Sequence, residues 1–81
     1  MNLNIQDPSQ DRLRCVIDFY SKRKFKEAIK EINILLKDFK NSAVLYNIYG
    51  LIYFNLKQYD ASMNCYNKAI IINRNIIWIS F

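Results

Sequence analysis

Few side chains in this sequence could carry out chemistry. Its 81 residues include two cysteines, Cys15 and Cys65, no histidine and one glycine, Gly50. Without histidine, the chain lacks the side chain that most often acts as a general base near neutral pH. A single glycine cannot build the glycine-rich loop that holds a phosphate group. Because the aspartates and glutamates are scattered over positions that we expect to face solvent, we predict that the protein is not an enzyme and binds no cofactor.

The two cysteines could in principle bind a metal, form a disulfide or act as a nucleophile. A zinc site needs more nitrogen and sulfur ligands than two thiols supply, and no C-x-x-C spacing is present. The first residues have neither the positive region nor the long apolar stretch of a secretion signal, so we expect a cytoplasmic location. Thiols stay reduced there. The favoured interpretation is two free structural thiols in the core, with a disulfide and a reactive cysteine as the alternatives.

The chain has a formal net charge of +5, and part of it lies in the basic run Lys22, Arg23, Lys24 and Lys26. Basic patches that bind nucleic acid are usually interleaved with aromatic residues or belong to a known motif, and neither is found. The run falls at a predicted turn, where solvated charges are common. We therefore do not expect a nucleic-acid partner. No apolar run reaches the roughly 18–20 residues that span a bilayer, so we expect no membrane partner.

Hydrophobic periodicity predicts four helices joined by short turns. The first helix begins within residues 7–10, with Asp7 as the N-cap and Pro8 at the first helical position, and it ends at the basic run. The others cover residues 25–39, the stretch after the cap pair Asn41 and Ser42, and Tyr59 to about Ile72. Short connections make neighbouring helices antiparallel. The predicted fold is all-α, with two antiparallel helix hairpins.

The most informative stretch covers residues 46–69. In its first half, three tyrosines and the glycine share one helical stripe: Tyr46, Tyr49, Gly50 and Tyr53. In its second half, Ser62, Tyr66 and Ala69 recur at the same kind of spacing. Glycine inside a helix costs about 1 kcal/mol relative to alanine, so we infer that a ring from the facing helix fills the gap at this glycine.

These residues, together with Tyr59, resemble the W-x2-L-G-x2-Y…A-x3-F-x2-A pattern of the tetratricopeptide repeat. One repeat length of 34 residues earlier, residues 25–29 stand in the place of 59–63, which reveals a degenerate first copy. In that copy Arg12, Cys15 and Val16 take the places of Tyr46, Tyr49 and Gly50. The resemblance implies a single domain over residues 1–81, a two-hairpin fragment of an α-solenoid. Its parts would be repeat 1 at about 9–42, repeat 2 at about 43–76, and a tail at 77–81 that starts a third repeat or caps the second.

The packing positions of the repeat predict the core. They are Phe19, Ala28, Ile32, Tyr49, Gly50, Tyr53, Ser62, Tyr66 and Ala69.

The resemblance also implies a concave groove, lined by the first helix of each hairpin, that binds a peptide or a partner protein. Carried over position by position, the lining residues are Gln10, Leu13, Ile17, Tyr20 and Ser21 in the first copy, and Val44, Asn47, Leu51, Phe54 and Asn55 in the second. Family members that clamp a C-terminal carboxylate have Lys and Asn in the places of Leu13 and Ile17. We therefore predict a mostly apolar groove without a clamp. The alternative is that the apolar lining residues pack against the tail or another repeat.

Five of the six residues at 76–81 are large and apolar. If they were exposed to water, these residues would form an apolar surface that promotes association. We therefore expect Trp78 and Phe81 to be covered, either on the fourth helix or by self-association into a homo-oligomer. Asn75 can cap a helix there. The predicted function is a protein-interaction module or scaffold. The alternative is the N-terminal scaffold of a larger repeat-containing protein, such as a transferase.

Overall fold

The structure is a computed structural model that describes residues 6–72. Within that range the chain forms four α-helices and no strand. They are α1 (Gln10–Ser21), α2 (Phe25–Asp38), α3 (Ala43–Asn55) and α4 (Tyr59–Ile72). The helix α1 packs against α2, α3 packs against α4, and α2 packs against α3 across the middle. The predicted all-α fold of two helix hairpins is confirmed.

Serine residues begin the first helix of each hairpin. Ser9 and Ser42 have extended backbones, and their hydroxyl oxygens accept hydrogen bonds from the backbone N–H of Arg12 and Leu45. Each hydroxyl thus satisfies one N–H that the first helical turn would otherwise leave unpaired. The predicted cap at Asp7 was wrong, because Ser9 takes that place and proline precedes the helix. The Asp7 carboxylate instead accepts a hydrogen bond of 2.6 Å from the Ser42 hydroxyl, which connects the chain before α1 to the start of α3.

The turns that end α1 and α3 have the same geometry, one repeat length apart. Arg23 and Lys57 have left-handed backbones, with φ of 60° and 63°. The next residue of each turn donates its N–H five positions back, from Lys24 to the Phe19 carbonyl and from Gln58 to the Tyr53 carbonyl. This is the hydrogen-bond pattern of a Schellman motif. The backbone therefore repeats even where the sequence motif of the first copy is degenerate.

The largest core cluster lies among α1, α2 and α3. It contains Val16, Ala28, Ile32, Leu35, Leu45, Ile48 and Ile52. Of the predicted core residues, Ala28, Ile32, Gly50, Ser62 and Ala69 are buried, whereas Phe19, Tyr49, Tyr53 and Tyr66 are only half-buried. The tyrosines are half-buried because their phenol rings are long enough to place the hydroxyl near solvent. Prediction missed Leu45, Ile48 and Ile52 because they lie outside the repeat's consensus positions, on the side of α3 that meets the first hairpin.

The two cysteines differ in environment, and both are free thiols. Cys65 is buried on α4, and burial raises the pKa of its thiol above the ordinary value. Cys15 is exposed, so the prediction that both thiols belong to the core was wrong for this residue. The reason lies in its position, which corresponds to that of Tyr49 one repeat length later. Tyr49 contacts Asn33 on the helix before it, whereas α1 is the first helix of the described chain.

Candidate peptide-binding groove

The first helices of the two hairpins are joined by a side-chain hydrogen bond. The side-chain amide of Asn55 on α3 donates to the Tyr20 hydroxyl on α1 over 3.1 Å, and also to the Leu51 carbonyl over 2.8 Å. Ile17 lies one turn before Tyr20 on α1, and Leu51 lies one turn before Asn55 on α3, so the two residues of each pair share one stripe of their helix. The hydrogen bond between Asn55 and Tyr20 joins the two stripes. We call this surface, with the other predicted lining residues, the α1/α3 face.

The predicted lining residues fall into two groups on the α1/α3 face. Ile17 is 48% exposed and Phe54 is 55% exposed, which is unusual for large apolar side chains. Of the others, Gln10 and Ser21 are exposed polar residues, and the rest are half-buried: Leu13, Tyr20, Val44, Asn47, Leu51 and Asn55. Leu13, Tyr20 and Val44 also pack against the core cluster. Burial therefore leaves Ile17 and Phe54 as the most accessible apolar side chains of this face, while the half-buried residues form its floor.

Aromatic pairs mark the same end of both hairpins. The rings of Tyr20 and Phe25 have centroids 5.9 Å apart, and those of Phe54 and Tyr59, one repeat length later, are 5.4 Å apart. The Arg23 guanidinium lies 5.3 Å from the Phe25 ring centroid, within range of a cation–π contact. Sequence reasoning did not assign Phe25 and Tyr59 to the site. The signal that could have found them is their position directly after the turns, facing the last aromatic residue of the preceding helix.

Charge near this end of the face is only partly neutralised. Lys22 forms an ion pair with Asp18 on the preceding turn of the same helix, with a nitrogen-to-oxygen distance of 3.1 Å. Both side chains are largely exposed, so the pair contributes well under about 1 kcal/mol to stability. The predicted absence of a carboxylate clamp rests on Leu13 and Ile17, which are both apolar. The preference of the α1/α3 face for apolar side chains over a charged chain terminus stays a prediction.

The second hairpin is held together by a close contact between α3 and α4. A Cβ atom built on Gly50 would lie only 2.7 Å from the Tyr66 ring, so the ring fills the space that a side chain would need. The Ser62 hydroxyl donates to the Gly50 carbonyl over 2.8 Å. The predicted reason for the glycine, close approach of a ring, is correct. This contact fixes α3, which carries Leu51 and Phe54, against α4.

A second set of polar aromatic residues lies on α3 and connects it to α2. Tyr53 donates its hydroxyl hydrogen to Tyr49 over 3.4 Å, and Tyr49 donates to the side-chain oxygen of Asn33 over 3.2 Å. The two rings are stacked, with centroids 4.9 Å apart. Burial, and then the hydrogen bond from Tyr53, raise the pKa of Tyr49 to about 12. At neutral pH the Tyr49 hydroxyl is therefore protonated and acts as a hydrogen-bond donor.

Three further predictions concern metal binding, membrane insertion and self-association. Within residues 6–72, no group of three or more histidine, cysteine, aspartate or glutamate side chains could hold a metal ion. None of the helices in that range is long and apolar enough to cross a membrane. Trp78 and Phe81 lie outside the described residues, so their role in self-association stays a prediction.

Comparison with known protein families finds a similarity in the second hairpin. Residues 43–76 match the sequence profile of the tetratricopeptide repeat family. Neither the curated proteins nor the solved structures gave a significant match to the chain. Repeats of this family generally mediate protein–protein interactions and are typically not catalytic. The second hairpin therefore resembles a tetratricopeptide repeat in sequence, and the hairpin of α1 and α2 reproduces its turn geometry one repeat length earlier.

Proposed function

We propose that the protein binds an extended, mostly apolar segment of a partner protein on the α1/α3 face. The observation that carries this proposal is the exposure of Ile17 and Phe54 on two helices that the Tyr20–Asn55 hydrogen bond joins side by side. Large apolar side chains on one rigid surface are typical of protein-interaction sites. The protein-binding role of the repeat family supports the same conclusion.

The energetics favour a segment that supplies at least two apolar side chains. Covering one large apolar side chain contributes about 1.5–3 kcal/mol, and association costs at least about 4 kcal/mol in lost translational and rotational freedom. A single contact at Phe54 would therefore leave no net affinity. Three contacts, with Ile17 and Leu51 added, contribute up to about 9 kcal/mol and leave up to about 5 kcal/mol after this cost, which corresponds to a dissociation constant of about 0.2 mM. We expect the Asn47 amide, which belongs to the floor of the α1/α3 face, to bond with the backbone of the segment.

Selection from a random peptide display library on the immobilised 81-residue protein tests this function. The enriched peptides should carry apolar or aromatic residues at regular spacing. The variants Ile17→Asp and Phe54→Asp should each weaken binding of a selected peptide at least about tenfold, measured by isothermal titration calorimetry. Both side chains are about half exposed, so the circular dichroism spectrum should remain that of the parent.

Ile34 provides a matched control. It is 46% exposed, but it lies on α2, outside the α1/α3 face. Ile34→Asp should bind the selected peptide with parent affinity. If Ile34→Asp weakens binding as much as Phe54→Asp does, or if both groove variants bind normally, the partner binds elsewhere and the proposal is wrong. A steep loss of affinity with added salt would point to the basic turn at residues 22–26 instead.

A further inference from the structure

A small cavity lies between α3 and α4, with a volume of about 220 Å³. On α3 it is lined by Tyr46, Tyr49 and Tyr53, and on α4 its lining includes Ala61, Cys65 and Lys68. Each set recurs at helical spacing, so the cavity runs between one stripe of each helix. Leu51 of the α1/α3 face lies two residues from both Tyr49 and Tyr53, which places it about 200° around the helix from them. The cavity is therefore on the other side of α3 from the α1/α3 face.

Lys68 carries the only charge among the residues that line the cavity. Its ammonium nitrogen lies 5.4 Å from the centroid of the Tyr46 ring. Among residues 6–72, no carboxylate forms an ion pair with it. Asp60 is the only acidic residue of α3 and α4, and it lies more than two turns before Lys68, about 12 Å along the helix axis. The cavity therefore favours an anion over a cation.

The neighbouring edge of α2 adds positive charge to the same side of the molecule. The Asn33 side-chain oxygen accepts a hydrogen bond of 3.2 Å from the Tyr49 hydroxyl, which places this edge of α2 beside the tyrosines. Three exposed lysines recur with Asn33 at helical spacing: Lys26, Lys30 and Lys37. Because α2 and α3 are antiparallel, Lys37 near the end of α2 lies toward Tyr46 near the start of α3. Lysines of α2 and α4 thus border the tyrosines of α3 from two sides.

The corresponding positions of the first hairpin are not suited to an anion. One repeat length earlier, Glu27 and Glu31 stand in the places of Ala61 and Cys65. A methyl group and a thiol in the second hairpin therefore leave space, and no negative charge, where the first hairpin has two carboxylates. The features that favour an anion belong to the second hairpin alone.

We propose that this cavity and the α2 lysines beside it bind an acidic segment of a partner protein. One apolar side chain of the segment enters the cavity, and its carboxylates accept charge-assisted hydrogen bonds from Lys37 and Lys68. An apolar cavity of about 150 Å³ holds a benzene ring, so this one has room for a phenyl-sized side chain. A drug-sized ligand needs at least about 300 Å³ and would not fit.

The aromatic contacts favour a peptide over a single-stranded nucleic acid. Bases of single strands bind by stacking on open faces of aromatic rings. The rings of Tyr49 and Tyr53 already stack on each other, with centroids 4.9 Å apart, and Lys68 lies over the ring of Tyr46. The acidic-segment site and the α1/α3 face lie on opposite sides of α3, so either proposal can fail without the other.

A short, fluorescently labelled peptide with one phenylalanine among glutamates tests the site on the full 81-residue chain. Fluorescence anisotropy gives its affinity, which should fall with added salt. Replacing the phenylalanine of the peptide by alanine should weaken binding at least about tenfold, because the cavity is left empty. A peptide with glutamines in place of the glutamates should also bind more weakly. If it binds as well as the acidic peptide, the proposal is wrong.

Two lysines of the second hairpin supply a variant and its matched control. Lys68→Gln should weaken binding of the acidic peptide about threefold to tenfold, because it removes the donor at the cavity. Lys57→Gln removes the same charge from the turn between α3 and α4, outside the cavity, and should bind with parent affinity. Equal losses in the two variants would show that the peptide responds only to net charge, and would overturn the site.

Filling the cavity separates its role from that of the charge. Ala61→Met keeps the charge and the helix-forming tendency but occupies the space, so it should weaken the acidic peptide about as much as loss of the peptide's phenylalanine does. Phe54→Asp, on the α1/α3 face, should leave this binding unchanged. Parent affinity in Ala61→Met would overturn the proposal. Tighter binding of a short oligothymidylate, lost in Lys68→Gln, would overturn it in favour of a nucleic acid.

Discussion

In the first hairpin, Val16 on α1 and Ile32 on α2 occupy the places that Gly50 and Tyr66 occupy in the second. Val16 and Ile32 are fully buried in one cluster. In the second hairpin a residue without a side chain faces a large ring. The first hairpin thus pairs two medium-sized side chains, whereas the second pairs a glycine with one large ring. The turn geometry is the same in both. The comparison indicates that close packing between two helices restricts the summed volume of the two facing residues more than it restricts the identity of either one.

The largest effect is expected when one residue of the first hairpin's pair is combined with one residue of the second hairpin's pair. Gly50→Val places the residue of the first hairpin against the ring of the second, and Tyr66 must turn away because its ring already lies within 2.7 Å of the position of the new Cβ. Overpacking of this kind costs about 1–3 kcal/mol. The free energy of unfolding, measured by urea denaturation, should fall by that amount. Gly50→Leu, with a longer side chain, should cost at least as much.

Adding Tyr66→Ile completes the transfer of the first hairpin's pair. The double variant Gly50→Val/Tyr66→Ile should recover most of the lost stability, so the two substitutions should couple by about 1–3 kcal/mol in a double-mutant cycle. Additive effects would mean that each residue is constrained separately, and the interpretation by combined volume would be wrong. An unfolding midpoint unchanged by Gly50→Val alone would contradict the close contact itself.

Buried tyrosines should make the second hairpin sensitive to high pH. Tyr49 has a raised pKa of about 12, and the pKa of Tyr66 is also raised by burial, whereas the place of Tyr49 in the first hairpin holds the exposed Cys15. In the unfolded chain a tyrosine ionises near pH 10. Because the folded state holds the neutral phenol, the stabilisation is complete below about pH 10 and is lost as the pH rises toward 12. The effect should be smaller than that of overpacking, since Tyr49 is only half-buried and solvent screens it.

Denaturation of the parent and of Tyr49→Phe at several pH values between about 8 and 12 measures this effect. The variant should lose stability less steeply above about pH 10, although Tyr66 leaves it some dependence. All other ionisable groups are common to both proteins, so their contributions cancel in the difference. Parallel curves for the two proteins would show that burial of Tyr49 does not favour the neutral phenol.

Local patterns in the sequence were enough to predict the helices. Apolar spacing and short polar turns placed α4 at Tyr59–Ile72 and α2 to within one residue of its end. The cap of α1 was missed because two residues able to cap flank Pro8, and the choice depends on Ser42, which lies far along the chain and bonds with Asp7. Long-range partners of this kind leave no local signal.

Burial on the α1/α3 face was predictable only in part, for the same reason. The repeat register indicates which residues share the face, and Ile17 and Phe54 are exposed on it. It does not indicate that Leu13, Tyr20 and Val44 also pack against the core cluster, because that depends on which helix lies behind each residue. Leu45 was overlooked for the same reason, since its burial depends on the first hairpin.

The smallest expected effect is a difference in stability between glycine substitutions in the two turns. Arg23 and Lys57 both adopt the left-handed backbone that favours glycine, so replacing Lys57 with glycine should relieve strain and stabilise the protein by about 0.5–1 kcal/mol. Arg23→Gly relieves the same strain but also removes the guanidinium that lies over the Phe25 ring, a contact worth about 0.5–1 kcal/mol at an exposed site. The net change there should be close to zero.

Thermal or urea unfolding of both variants beside the parent gives the comparison, with Arg23→Lys as a control. That control keeps the charge and the strained backbone but loses the planar guanidinium. If Arg23→Gly stabilises as much as Lys57→Gly, the contact over Phe25 contributes nothing and the two turns are energetically equivalent. If Lys57→Gly destabilises the protein, the positive φ at this turn carries no strain, and the lysine side chain must make a stabilising contact that outweighs the flexibility of glycine.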